Sequence, residues 1–310
     1  MRRSPSSRSG SCATCSSSPN PRGPRRRRRT AHVDLHCHST ASDGECEPVD
    51  VARRARAAGL AAIALTDHDT TDGVAPAARE GEALGVRVIS GCEFSVKAPW
   101  GELHLLAYFL PPGDEQLQTF LRGSRAARAR RGEQIVAKLQ QLGVGIGLAD
   151  VHAQAGAGAV GRPHVARALV ERGASDDISD AFSRYLGRGR PAYVEKPLPT
   201  LAEVTALVHA VGGVAVAAHL GDRGTEGQIR RFKEDGLDGL EVRHPSHSPS
   251  VEQRLTRIAE RLSLGISGGS DWHGDTEFGD AHAPLGGMHI PAEWLEQLEL
   301  RRGPTARMSS

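Results

Sequence analysis

One arrangement recurs along this chain from residue 32 onward: a short apolar run ends in a histidine or carboxylate, and a helical pattern follows. In residues 32–38, His36 and His38 alternate with Leu35 and Cys37, and a period of two places both imidazoles on one face of a strand. Each of seven such runs has a candidate metal ligand at or near its C-terminal end. The predicted strands are residues 32–38, 60–66, 86–90, 102–109, 214–217, 237–242 and 264–267.

This alternation of strands and helices predicts a parallel sheet of the α/β class. Polar groups at the C-terminal ends of successive strands are typical of a closed barrel. A doubly wound open sheet would gather its site at one switch point and would not need a ligand on every strand. We therefore predict a TIM-like (β/α)7 barrel, and 310 residues is a normal length for one such domain.

The alternation is interrupted between Pro111 and Pro199, where the pattern indicates helices only. Helices are predicted over residues 121–142, 164–172 and 175–186, followed by a helix that starts with a capping box at Thr200 and Glu203. We expect a small helical subdomain inserted in the barrel and covering the mouth of its site. The predicted boundaries are 31–112 and 199–300 for the barrel, 113–198 for the insertion and 301–310 for a flexible C-terminus.

The formal net charge of +2 combines two unlike parts. Residues 1–30 contain nine arginines and no acid, and they are rich in serine, proline and glycine, so we predict a disordered basic tail. This tail either makes weak contacts with nucleic acid or is an unstructured leader, which includes the case of a start codon placed too early. No apolar run is long enough to span a membrane. Cysteines without a disulfide framework indicate a cytoplasmic protein, and no feature indicates an obligate protein partner.

Histidines and carboxylates in the predicted strand ends form a candidate metal centre. Mixed imidazole and carboxylate ligands suit Mn²⁺, Fe²⁺ or Zn²⁺. Nine ligands are too many for one ion, so two or three ions that share a bridging carboxylate are expected, and such clusters promote displacement at phosphorus. Participation of His244 and His247 stays open. The candidate ligands are His36, His38, Asp43, His68, Glu93, His104, His219, Asp271 and His273.

Five segments closely resemble motifs of the PHP (polymerase and histidinol phosphatase) phosphoesterases, in the order of that family. They are DLHCHST (34–40), TDHDTTDG (66–73), GCEFS (91–95), GRPHVARALV (161–170) and GSDWHG (269–274). The resemblance covers about residues 33–290 and is strongest to the bacterial 3′,5′-nucleoside bisphosphate phosphatases, which include 5′→3′ exoribonucleases on short RNA. It implies a distorted seven-stranded barrel that binds three divalent ions. Mn²⁺ is the expected metal, and Fe²⁺ and Zn²⁺ are the alternatives.

The resemblance also implies roles for individual residues. The first ion would be held by His36, His38, Glu93 and Asp271, the second by Asp43, His68 and His273, and the third by Glu93, His104 and His219. Substrate would be bound by Gly44, Arg131, Arg162 and His164, with Arg128 a weaker candidate. Arg131 would neutralise charge in the reaction, and either His164 or a water on the metal would protonate the leaving oxygen.

The implied activity is metal-dependent hydrolysis of phosphate from a small nucleotide or a short oligonucleotide. Within the enzymes, the alternative is a phosphatase for histidinol phosphate or another small phosphomonoester. The alternative of another class is a nucleic-acid-binding module that uses the arginine-rich tail. Deletion of residues 1–30 would abolish function in that last case and would barely affect an enzyme.

Overall fold

The computed structural model describes residues 31–156, 160–275 and 283–303. The predictions made for the basic tail and for residues 304–310 therefore lie outside the described residues. No helix in the described part of the chain is both long enough and apolar enough to cross a membrane. The described residues from Ala31 onward form one compact unit.

Eight strands form one sheet that curves into a nearly closed barrel, in the order β7-β6-β5-β4-β3-β2-β1-β8. All seven predicted strands are present, and the eighth has only two residues, too few to produce a pattern. The strands are β1 (His32–Cys37), β2 (Ala62–Leu65), β3 (Arg87–Ala98), β4 (Gly101–Tyr108), β5 (Val214–Ala217), β6 (Gly239–Arg243), β7 (Gly265–Gly268) and β8 (Ile290–Pro291).

The prediction of an all-parallel sheet is wrong for part of the barrel. Strand β4 is antiparallel to both β3 and β5, and β8 is antiparallel to β1. Only two residues separate Ala98 from Gly101, and so short a connection can join only antiparallel strands. Strand β3 also continues eight residues past its predicted end at Ser90. Glu93 therefore lies within a strand and not after one.

The barrel is closed between β1 and the segment after β7 by a few specific contacts. The backbone N–H of His38 donates to the carbonyl of Trp272 at 2.9 Å. The buried carboxylate of Asp34 accepts backbone N–H bonds from Ser270 at 3.0 Å and from Gly286 at 2.8 Å. These contacts bring Asp271 beside the end of β1, where the candidate ligands begin.

Ten α-helices surround the sheet in the described residues. Capping explains where several of them begin: the side chain of Asp114 accepts from Leu117 N, which starts α3 six residues before its predicted start. Ser248 caps α9, because its side chain accepts from Val251 N. The helices are α1 (Pro48–Ala57), α2 (Val74–Leu84), α3 (Glu115–Gln141), α4 (Leu148–Ala155), α5 (Arg162–Glu171), α6 (Ile178–Ala181), α7 (Leu201–Ala210), α8 (Glu226–Glu234), α9 (Pro249–Arg261) and α10 (Ala292–Glu299).

The segment between β4 and α7 is helical in its regular elements. It includes α4, which was not predicted, and α6 begins after an Asp177 cap and continues as a π-helical turn over Phe182–Leu186. Its helices share a hydrophobic cluster of their own, centred on Ile135, Leu139 and Leu169. The capping box of α7 is confirmed, because Glu203 accepts from Thr200 N at 2.7 Å. The exact limits 113 and 198 of an inserted subdomain stay a prediction.

Candidate metal centre

The first group of candidate ligands lies where β1, β3 and the segment after β7 meet. The Nε2 atom of His36 is 3.3 Å from Glu93 Oε2 and 3.1 Å from Asp271 Oδ1. The Nε2 atom of His38 is 3.2 Å and 3.3 Å from the same two oxygens. Four ligand atoms thus face one small space, and all four residues are those that the resemblance implies for the first ion.

A second group surrounds Asp43, which lies in the loop after β1. Its Oδ1 atom is 3.5 Å from His273 Nε2, and its Oδ2 atom is 3.8 Å from His68 Nε2. His38 adjoins this group, with its Nδ1 atom 4.0 Å from Asp43 Oδ1. Together these four residues form a set that could hold a metal ion.

Glu93 connects both regions to a third group. Its Oε1 atom is 2.9 Å from His104 Nδ1 and 3.2 Å from His219 Nε2. Its Oε2 atom faces His68 Nδ1 at 3.3 Å. Glu93 thus contacts members of all three groups, and the structure brings all nine predicted ligands together.

The donor set fits divalent metal ions. His38 Nε2, Asp43 Oδ1 and His68 Nδ1 are buried atoms, and within the described residues none of them has a hydrogen-bond partner. Buried polar atoms are nearly always hydrogen-bonded, so a cluster of exceptions calls for a ligand. Imidazole nitrogens and carboxylate oxygens that converge in this way are suited to Mn²⁺, Fe²⁺ or Zn²⁺.

The pKa values in the cluster show how strongly its acids require positive charge. Burial would raise the pKa of Glu93, but the neighbouring charges of His68, His104 and His36 hold it well below its usual range. Burial would lower the pKa of His38, yet the adjacent carboxylates of Asp271 and Glu93 raise it to about 10. The pKa of His68 falls to about 3, because burial outweighs the two acids beside it. Bound cations would meet the same need for positive charge.

Glu241, on β6, contacts two of the candidate ligands but was not singled out in the sequence. It is 0% exposed; Oε1 lies 3.0 Å from His36 Nδ1, and Oε2 accepts a hydrogen bond from the backbone N–H of His219 at 2.8 Å. A carboxylate on the second ring nitrogen fixes the tautomer of a ligating histidine and leaves Nε2 free to bind metal. The available signal was an acid inside the predicted strand 237–242, which also contains Asp238.

The two histidines left open have different surroundings. His244 is buried, with Nε2 3.3 Å from Asp271 Oδ2, so it lies against the ligand cluster. His247 bridges two loops instead: Nδ1 donates to Val242 O, and Nε2 accepts from the backbone N–H of Gly221. Both nitrogens of His247 are therefore used in holding the backbone.

Gly44 has a structural reason to be glycine. A Cβ atom there would lie 2.8 Å from the backbone carbonyl of His38 and 2.9 Å from Ser39 Cα. Asp67 supports the same loop by accepting hydrogen bonds from Ser39 N, Ser39 Oγ and Ser42 Oγ. The absence of a side chain at Gly44 thus lets the loop that carries Asp43 close onto β1.

Arg131 and Arg162, predicted to bind substrate, line a pocket of about 940 Å³ that also reaches His104 and His219. Arg131 Nε donates to Val194 O at 2.9 Å, and Arg162 lies 3.5 Å from Glu102 Oε2. Six lysine or arginine residues but only two acids line this pocket. It is therefore a cationic space next to the candidate ligands.

His164 is buried at the start of α5. Its Nδ1 atom accepts a hydrogen bond from the backbone N–H of Gly161 at 3.0 Å, so its proton is on Nε2. Burial, only partly opposed by the charge of Asp43, lowers its pKa to about 4. At neutral pH His164 is an uncharged hydrogen-bond donor.

Arg128, the weaker candidate for substrate binding, is paired with a carboxylate of the loop after β2. Its Nε atom donates to Asp69 Oδ2, and Lys196 Nζ lies 3.5 Å from the same oxygen. Asp69, next to His68, thus links the ligand cluster to α3. Lys196 was not singled out in the sequence, where a lone lysine in an irregular segment has no distinguishing pattern.

Comparisons with known proteins agree with this geometry. Residues 34–186 match the PHP domain. The chain is 36% identical over 265 residues to a 3′,5′-nucleoside bisphosphate phosphatase of Chromobacterium violaceum, which covers 80% of this chain and 90% of that protein. It is 34% identical over 249 residues to a 5′-3′ exoribonuclease of Haemophilus influenzae, with coverage of 79% and 90%. A crystal structure described as a metal-dependent phosphoesterase from Bifidobacterium adolescentis is similar, with a TM-score of 0.80, 35% identity and coverage of 88% and 97%.

A nearly closed α/β barrel with a buried cluster of histidines and carboxylates defines a metal-dependent hydrolase of phosphate esters. The identities and coverage above extend over most of the barrel and its helices. The chain belongs to the PHP family of phosphoesterases.

Proposed function

We propose that the protein releases the 3′-phosphate from nucleoside 3′,5′-bisphosphates and removes nucleotides in the 5′→3′ direction from short RNA. The observation that carries this proposal is the cationic pocket that opens beside His104 and His219. A phosphate group at the ligand cluster leaves room in this pocket for a second one. The two relatives named above act on these substrates according to their names.

We propose that the cluster binds three divalent ions. Mn²⁺ is the expected metal, and Fe²⁺ and Zn²⁺ are the alternatives. The first would be held by His36, His38, Glu93 and Asp271. Asp43, His68 and His273 would hold the second, and Glu93, His104 and His219 the third. When bound, such ions lower the pKa of a water molecule and stabilise charge that develops at phosphorus.

The protein's own residues would position the substrate. Arg131 and Arg162 would bind phosphate oxygens, as guanidinium groups do with good geometry. The Nε2–H of His164 would donate a hydrogen bond, since its lowered pKa leaves it neutral at pH 7. That neutrality favours water over His164 as the source of the proton for the leaving oxygen.

The decisive assay is release of phosphate from adenosine 3′,5′-bisphosphate by protein loaded with Mn²⁺. We expect turnover that is lost on chelation and restored by adding the metal. A 5′-phosphorylated dinucleotide should yield 5′-nucleotides under the same conditions. Absence of turnover by metal-loaded protein would overturn the substrate assignment.

The other candidates have less support. A phosphatase for histidinol phosphate needs no second phosphate-binding surface, whereas six cationic side chains line this pocket. Comparing rates on histidinol phosphate and on adenosine 3′,5′-bisphosphate separates the two. A binding module that uses the basic tail would not need the buried ligand cluster. Location in the cytoplasm and the absence of an obligate protein partner stay predictions.

A further inference from the structure

Lys196 is a buried lysine whose ammonium group lacks a hydrogen-bond acceptor. It is 8% exposed, and Nζ has no hydrogen-bond partner among the described residues. Asp69 Oδ2 at 3.5 Å and Glu102 Oε1 at 3.7 Å balance its charge. An ammonium group has three N–H donors, and leaving them unused in a buried place is costly. This site therefore calls for a ligand with acceptor oxygens.

The position of Lys196 relates that ligand to the reaction. Lys196 lines the pocket that also reaches His104 and His219. Glu102 lies between the lysine and the cluster, because its Oε1 atom is 3.8 Å from His104 Nε2. A substrate with one phosphate at the cluster can thus place another group near Lys196.

Lys196 differs from the other cations of the pocket. Arg131 uses Nε to hold Val194 O, and Arg162 pairs with Glu102 while packing over the ring of Phe182. Burial and the nearby charge of Arg128 lower the pKa of Lys196 to about 8, and Asp69 and Glu102 limit that fall. At pH 7 the amine is therefore mostly protonated and ready to bind an anion.

We propose that Lys196 determines substrate specificity by binding the 5′-phosphate of the substrate, the phosphate that is not hydrolysed. This inference rests on the proposed function. In a nucleoside 3′,5′-bisphosphate, and at the end of a 5′-phosphorylated RNA, one ribose separates this group from the phosphorus that reacts. Lys196 would then distinguish both from nucleotides that lack a 5′-phosphate.

The test compares two substrates that differ only in that group, adenosine 3′,5′-bisphosphate and adenosine 3′-monophosphate, in the presence of Mn²⁺. For Lys196→Met we expect kcat/KM to fall about 10- to 100-fold on the bisphosphate, the usual scale for losing a charged hydrogen bond, and to stay unchanged on the monophosphate. Lys196→Arg should retain part of the preference. Lys233→Met is the matched control, because Lys233 is an exposed lysine of α8 that does not line this pocket and should keep the wild-type preference.

An equal loss on both substrates, or no loss on either, would overturn the role of Lys196. Turnover of neither substrate by the wild-type protein would instead contradict the proposed function. In that event, calorimetric titration with adenosine 5′-monophosphate still tests Lys196, since this nucleotide carries the relevant phosphate. Binding weakened by Lys196→Met but not by Lys233→Met supports the inference, and equal binding by all three proteins overturns it.

Discussion

Glu241 Oε1 lies 3.0 Å from His36 Nδ1 in the buried interior of the barrel. The other carboxylate oxygen of Glu241 holds the backbone N–H of His219. One side chain therefore orients a proposed ligand of the first ion and the segment that carries a proposed ligand of the third. Loss of the Glu241 side chain should therefore disturb both His36 and the segment that carries His219.

We expect Glu241→Ala to weaken metal binding about 10- to 100-fold, because ligating histidines depend to that extent on the partner of their second nitrogen. Metal content after dialysis and calorimetric titration with Mn²⁺ would measure the change. Glu260→Ala, an exposed acid at the end of α9, is the control and should bind as the wild type does. Unchanged affinity in Glu241→Ala would show that His36 needs no support.

Gly44→Ala should destabilise the protein by about 1–3 kcal/mol, the usual cost of forcing a methyl group into a packed space. The new Cβ would press on the backbone of His38 and Ser39 and shift the loop that carries Asp43. Gly227→Ala in α8 is the matched control, because a Cβ there has no atom within 4 Å. Urea unfolding measures both variants. A urea midpoint of Gly44→Ala equal to that of the wild-type protein would mean that the loop adapts to the methyl group without strain.

Arg128→Met should destabilise the fold by about 3 kcal/mol, since it leaves the buried Asp69 carboxylate without its main partner. Asp69→Asn combined with Arg128→Met should recover part of that loss, because the uncompensated charge is gone. Thermal and chemical unfolding of Arg128→Met, Asp69→Asn and the double variant would give the free energy of unfolding of each. A double variant as unstable as the sum of two single losses would contradict the pairing.

Removing residues 1–30 should leave kcat/KM on adenosine 3′,5′-bisphosphate nearly unchanged, because every proposed ligand and phosphate-binding residue lies after Thr30. Asp271→Asn should nearly abolish the same activity, since it replaces by a neutral amide the carboxylate that faces both His36 and His38. The pair of measurements separates an enzyme from a tail-driven binding module. Loss of function on tail deletion alone would favour the binding module.

The preference for adenosine 3′,5′-bisphosphate over adenosine 3′-monophosphate should decline as the pH rises through about 8. Burial lowers the pKa of Lys196 to about that value, so its phosphate-binding protonated form is present below pH 8 and is lost above it. Four charged groups surround the amine, and the two acids among them oppose the loss of its proton. These groups are Asp69, Glu102, Arg128 and Arg131. Taking the ratio of the two substrates at each pH cancels effects on the metal ions. The control is Lys196→Arg, whose guanidinium stays charged and whose ratio should not change over pH 7–9.

The ligand cluster could be predicted from the sequence because its members follow apolar runs at regular intervals, as His68 and His219 do. Strand direction could not, since a local pattern shows where β4 lies but not which neighbour it pairs with. Glu93 shows the limit: the sequence predicted it as a candidate ligand but did not predict its place inside a long strand. Glu241 and Lys196 contact residues distant in the chain, His36 and Asp69 respectively, so a local pattern does not show what they pair with.

Closure of the barrel joins β1 to the segment after β7, and this has a consequence for how the chain is made. His36 and Asp271 face each other although more than two hundred residues separate them in sequence. Contacts of such long range slow folding, because the intervening chain must be ordered first. During synthesis the histidines of β1 can meet Asp271 only after more than two hundred further residues have been added. We therefore expect the ability to hydrolyse phosphate esters to arise late, after the second half of the barrel has emerged.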